Sequence, residues 1–131
     1  MKIGSVFEDQ IFEKRISITP DIAKKYINLG FEVQISENYG DHLGFVSSDF
    51  TDQGVSVVSD TKTLIDSSDI LIQMGLLDDD KLKFLKSDQI YIGVLNPHNN
   101  KEKLKSLINN KINFFSLELL PRITRAQSMD I

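Results

Sequence analysis

Six short apolar segments, each followed by a stretch patterned for a helix or a loop, constrain this 131-residue chain more than any other feature. They are Ile3 to Val6, Phe31 to Ile35, Val55 to Val58, Asp69 to Met74, Gln89 to Leu95 and Ile112 to Leu117. Runs of this length and apolarity read as strands, and one with consecutive apolar residues, such as Ile70-Leu71-Ile72, reads as a strand covered on both faces. Strands that alternate with short helices are joined by right-handed crossovers onto a parallel sheet.

The fold class expected is therefore α/β: a three-layer, flavodoxin-like domain with a mostly parallel sheet. The helical stretches carry their own punctuation. Thr19-Pro20-Asp21 predicts a helix start, because Thr accepts an orphan N–H, Pro fits the first helical position and Asp meets the positive end of the dipole. Ile22, Tyr26 and Leu29 fall on one face of that helix, with Ala23 and Ile27 beside them, and Gly30 supplies its stop. A polar loop, Phe7 to Ile18, precedes it. Glu37 to Val46, with Gly40 and Gly44, reads as a second loop. Ser47 to Gln53 reads as a short helix closed by Gly54, and Thr61 to Asp66 as one or two helical turns. Asp78-Asp79-Asp80 followed by Lys81, Lys83 and Lys86 places acid first and base last, as a helix dipole favours. Asn99 to Asn109 reads as a helix with Leu104, Leu107 and Ile108 inward, and Phe114-Phe115 reads as core.

Composition excludes several classes. Fifteen Lys+Arg against nineteen Asp+Glu give a net charge of −4, the wrong sign for a nucleic-acid binder. The absence of cysteine removes disulfides, thiolate metal sites and a cysteine nucleophile. The longest apolar run, Ile70 to Leu77, is broken by Gln73 and falls far short of the ~20 residues a spanning helix needs. His42 and His98 lack partners at ligand spacing, so no metal site is expected.

No arrangement of the seven glycines gives G-x-G-x-x-G, and no Walker loop is present, so the chain shows no phosphate cradle. The three arginines, Arg15, Arg122 and Arg125, stand against twelve lysines and fall in two short segments. Arginine offers a planar donor fork that lysine lacks, so each reads either as a surface charge or as a carboxylate or amide contact. Arg15 lies in a loop at the carboxyl end of the first strand, the usual side of a ligand crevice. Thr124-x-x-Gln127 forms a capping box. Arg122 and Arg125 beside that helix start oppose its dipole. Asp130 lies too far into the helix to cap it. The helical pattern from Thr124 runs into Ile131, and the chain reads as a piece of something longer.

The whole chain resembles the N-terminal domain shared by alanine dehydrogenases and the α subunit of proton-translocating NAD(P) transhydrogenase. The residues that carry this are K-I-G-S-V-F-E, E-K-R-I-S-I-T-P and L-G-F-E-V, common to both branches. P-R-I-T-R-A-Q-S-M-D, Pro121 to Asp130, is similar to the transhydrogenase branch. Alanine dehydrogenases place a catalytic lysine after the fourth strand and a catalytic histidine after the fifth, where this chain has Met74 and Asn96. Neither can act as the base. The resemblance implies residues 1–123 as the shared domain and 124–131 as the start of a helix leading to a Rossmann domain. It implies NAD(H) held between those two domains, with Arg122, Gln127 and Asp130 contacting the nicotinamide and its ribose, and no catalytic acid or base. Arg15 matches the position that binds a substrate carboxylate in the dehydrogenase branch. NADP(H) on a β subunit, a membrane domain, a homodimer and a place on the cytoplasmic face of the inner membrane are implied in the same way. The rival expectations are an alanine- or saccharopine-type dehydrogenase domain and a stand-alone, non-catalytic α/β interaction module.

Overall fold

A computed structural model describes residues 1–8, 15–95 and 100–116. Among these, six strands, β1 (Lys2–Ser5), β2 (Glu32–Ser36), β3 (Ser56–Val58), β4 (Ile70–Ile72), β5 (Ile90–Gly93) and β6 (Asn113–Ser116), form one sheet in the order β3-β2-β1-β4-β5-β6. Each of these pairings is parallel. The full order is that of a Rossmann-type doubly wound sheet, and without the three-residue edge strand β3 the remaining five strands follow the expected flavodoxin-like order. Each expected strand lies within two residues of the observed one at both ends.

The α-helices among the described residues are α1 (Pro20–Asn28), α2 (Ser47–Thr51), α3 (Thr61–Ser67), α4 (Asp79–Leu82) and α5 (Lys101–Asn109). The start of α1 follows the sequence rule, since Thr19 Oγ1 accepts the Ile22 N–H at 3.3 Å. Gly30 after α1 and Gly54 after α2 take φ of +100° and +93°, which an L side chain would strain. Asp60 caps α3, accepting from Thr63 N–H and Oγ1. The Thr63 hydroxyl bond holds the Asp60 carboxyl below its ordinary pKa.

Strand alternation splits the apolar side chains between two cores. Val6, Leu71 and Tyr91 pack against Leu64 and Ile65 of α3, Leu82 of α4 and Leu107 of α5. Ile3, Val33 and Ile35 pack against Ala23 of α1 and Phe50 of α2. This is the expected three-layer arrangement.

Four local expectations need correction. Leu29 is 72% exposed, because it caps α1 instead of lying within it; the packed stripe is Ala23, Tyr26 and Ile27. Ile108 is 60% exposed, because Leu104 and Leu107 already form the inward stripe of α5 and the next residue lies about 100° further round. Phe115 is 57% exposed, because its strand neighbour Phe114 takes the core-facing position and successive side chains alternate. The acid-to-base stretch from Asp78 to Lys86 makes only the single turn of α4. The Gln89 side chain accepts the Lys86 N–H at 2.6 Å, which gives that backbone group a non-helical partner.

Candidate functional site

Ligands of open parallel sheets sit outside the carboxyl ends of the strands, where the strand order reverses. Here that place is the junction of β1 and β4. Four side chains organise it.

Gln73, directly after β4, is fully buried. Its Oε1 accepts the Val6 N–H at 2.6 Å and its Nε2 donates to the Val6 carbonyl at 2.9 Å. The carboxamide thereby continues the β1–β4 ladder where the backbones diverge. Glu8 spans the same junction from the other side. One carboxylate oxygen accepts the Met74 N–H at 2.8 Å and the other the Gly75 N–H at 2.9 Å. Tyr91 of β5 holds the next stretch of the loop, donating to the Gly75 carbonyl at 2.6 Å and accepting the Leu77 N–H at 3.0 Å. Burial raises the Tyr91 pKa well above its ordinary value, and the nearby Glu8 charge adds to the effect. Its phenol therefore stays protonated and able to donate.

Tyr39, after β2, anchors the loop that leads into α1. Its oxygen accepts the N–H groups of Ser17 (3.1 Å) and Ile18 (3.2 Å) and lies 2.6 Å from Ser5 Oγ. Ser5 Oγ donates to the Ile72 carbonyl at 2.7 Å, so the shared proton of the pair comes from Tyr39. Burial pushes the Tyr39 pKa up to about 12 against the opposing effect of the N–H bonds it accepts from Ile18 and Ser17.

On the β2–β3 side the same edge is open. A cleft of about 310 Å³ is lined by Phe7, Ser36, Glu37, Asn38, Ser59, Thr61 and Lys81. Ser36 Oγ accepts the Phe7 N–H at 3.0 Å, and half-buried Lys81 donates from Nζ to the Phe7 carbonyl at 3.3 Å.

Of the residues expected to carry function, Arg15 is exposed on the loop ahead of α1 and Met74 is buried at the junction. Arg122, Gln127 and Asp130 lie outside the described residues, as do Asn96 and His98. His42 is exposed and meets the Phe7 ring edge-on at 6.4 Å between centroids. Among the described residues no group of His, Asp and Glu could hold a metal ion, and no helix is long and apolar enough to cross a membrane. Sequence reasoning missed Glu8, Gln73, Tyr39, Tyr91 and Lys81. One signal was available: a lone glutamine interrupting an apolar strand needs polar partners within the core.

The fold and the polar junction define a doubly wound, parallel α/β domain whose strand order reverses between β1 and β4. The chain belongs to the family described as alanine dehydrogenase/PNT, N-terminal domain, which it matches over residues 5–131. It is 32% identical to the first of the chains that make up the NAD(P) transhydrogenase alpha subunit of Rickettsia prowazekii, over 99% of this chain and 35% of that protein. Its fold is similar to that of a transhydrogenase from Sinorhizobium meliloti, with a TM-score of 0.88 and 24% identity over 98% of this chain and 38% of the other. An L-alanine dehydrogenase has the same fold, with a TM-score of 0.84 and 21% identity over 90% of this chain and 32% of the other. The chain thus spans about a third of the length of the transhydrogenase chain it matches.

Proposed function

We propose that this chain is the first NAD(H)-cleft domain of an NAD(P) transhydrogenase α subunit. The observation that carries the reading is the similarity to a transhydrogenase α chain across nearly the whole sequence. Met74 supports it. A thioether stands where the dehydrogenase branch has its catalytic lysine, and it is 3% exposed, so no proton carrier occupies that position.

The described residues fit one end of the cofactor better than the other. The Glu8 carboxylate fills the amide pair of Met74 and Gly75, which opposes a pyrophosphate there. The junction instead offers a fixed wall whose polar groups are already satisfied, and the reading leaves the phosphates to a following Rossmann domain beyond residues 124–131. When bound, the nicotinamide supplies the hydride chemistry itself. On this reading Arg122 donates to the carboxamide and orients the ring. Gln127 hydrogen-bonds ribose hydroxyls, and Asp130 accepts from the carboxamide amine or a ribose hydroxyl. Arg15, exposed on the loop ahead of α1, matches the position that binds a substrate carboxylate in the dehydrogenase branch. The contribution of these residues is orientation, bringing the ring near the NADP(H) of a β subunit. Coupling to proton movement, a membrane-domain partner, a homodimer and residence at the cytoplasmic face of the inner membrane belong to the same proposal.

Hydride transfer to an NADP⁺ analogue by the complete complex tests it. Arg122→Ala is expected to raise KM for NADH at least tenfold, while oxidative deamination of alanine stays absent. Alanine turnover, or an unchanged KM, overturns the reading. Sub-micromolar NADH binding by the 131-residue chain alone would also contradict it, because the phosphate-binding half is assigned elsewhere.

A further inference from the structure

The open cleft beside the junction has a chemistry of its own, independent of the nicotinamide reading. Lys81 reaches from α4 over the end of β1, and among the described residues its partner is the Phe7 carbonyl at 3.3 Å. Three aspartates, Asp78, Asp79 and Asp80, precede it on the chain, yet none pairs with it; Asp79 lies 3.4 Å from Lys103 instead. A half-buried ammonium held by a neutral carbonyl retains N–H groups that favour an anion.

The remaining lining is rich in donors. Ser36 Oγ accepts from the Phe7 N–H, which leaves its own proton to donate into the cleft. Among the described residues, Asn38, Ser59 and Thr61 border the same space, and Glu37 adds a carboxylate acceptor. The cleft opens at the carboxyl ends of β1, β2 and β3, the edge where parallel sheets take their ligands. Its volume of about 310 Å³ is that of roughly ten waters and lies within the range of small-molecule sites. An apolar ligand would strand these donors. A simple inorganic ion would engage Lys81 and leave Glu37 and the outer hydroxyls to water, whereas a ligand with hydroxyls can use them.

We propose that the Lys81 cleft binds a small phosphorylated polyol, with Lys81 on the phosphate and Ser36, Asn38, Ser59, Thr61 and Glu37 on the phosphate and hydroxyls. The ammonium supplies the charge, and Glu37, the carboxylate among the described lining residues, selects for a ligand that carries hydroxyl donors. This site is separate from Met74 and Gly75, whose amides are taken by Glu8.

Amide-resolved NMR titration of the 131-residue chain with ribose 5-phosphate, inorganic phosphate and ribose tests the assignment. Ribose 5-phosphate is expected to give saturable shifts confined to Phe7, 36–38, 59–61 and Lys81, with Kd in about the millimolar range. Phosphate should bind at least tenfold more weakly, and ribose weaker still. Lys81→Met should abolish the response while the rest of the spectrum stays in place. Glu37→Gln should weaken ribose 5-phosphate but leave phosphate unchanged. Absence of saturable shifts, shifts elsewhere on the surface, or an undiminished response in Lys81→Met overturns the site. An equal response to inorganic phosphate overturns the polyol assignment.

Discussion

The carboxyl edge of the sheet has two halves built on opposite terms. On the β4–β5 side, backbone groups of Val6, Met74, Gly75 and Leu77 are met by Gln73, Glu8 and Tyr91, and Val94 N–H closes on the Met74 carbonyl at 3.0 Å. On the β2–β3 side, a cation and several hydroxyls face an open cleft, and one lysine-to-carbonyl bond crosses it. The first half uses its polar groups on itself. The second leaves them available. A crevice needs both: a wall with its backbone groups satisfied and groups with unused hydrogen-bonding capacity.

Replacement of Gln73 breaks the closed half most severely. Gln73→Leu leaves the buried Val6 N–H and carbonyl unserved, at about 1–3 kcal/mol for each group. Urea denaturation should show a loss of about 3 kcal/mol or more, and a loss below ~1 kcal/mol would refute the clamp.

Gly93→Ala attacks the same half through the backbone. A Cβ there would lie 2.7 Å from the Gln73 carbonyl oxygen, and the neighbouring strand cannot yield as a flexible side chain could. A destabilisation of about 1–3 kcal/mol is expected by thermal melting, with loss of protection at the Val94 amide.

High pH tests the buried tyrosines that anchor the loops on either side of β1. Tyr39 titrates at about 12 in the folded chain and near 10 when unfolded, so above pH 10 the folded state holds the extra proton. The stability it contributes is complete below pH 10 and is lost as pH rises from 10 towards 12, with a slope of up to about 1.4 kcal/mol per pH unit. Tyr91, raised in the same direction, steepens the fall. Tyr39→Phe should flatten the slope between pH 10 and 12 while lowering stability at neutral pH, because the Ser17 and Ile18 N–H groups lose their acceptor. Guanidinium titrations at several pH values give both readings, and an unchanged slope would sink the assignment.

The smallest effect belongs to the open half. Lys81→Met should change stability in urea by no more than about 0.5 kcal/mol, since a single long bond to a carbonyl holds it. A loss comparable to that of Gln73→Leu would mean that both halves are structural, and the contrast between them would fall.

Much of the fold was legible in order along the chain. The six apolar runs, the Thr19-Pro20-Asp21 start and the glycines after α1 and α2 report local preferences that packing did not reverse. Errors arose where two neighbours competed for one face. Phe114 against Phe115 and Leu107 against Ile108 cannot be ranked by type, because both members of each pair are apolar and only the position of the partner element selects one. The site was less legible. Glu8 looked like one loop charge among several, and Lys81 like one lysine of a helix end.

Local chemistry along the chain determined the alternation of strand and helix, the parallel class, the helix start and, with no cysteine present, the absence of disulfides. The tertiary structure alone decided which polar side chains close upon the junction and which line an open cleft. The reason is distance along the chain: Glu8 meets Met74 and Gly75, and Lys81 meets Phe7, across separations of 66 to 74 residues. No local preference encodes such a meeting; only the closing of the parallel sheet brings those groups within hydrogen-bond reach.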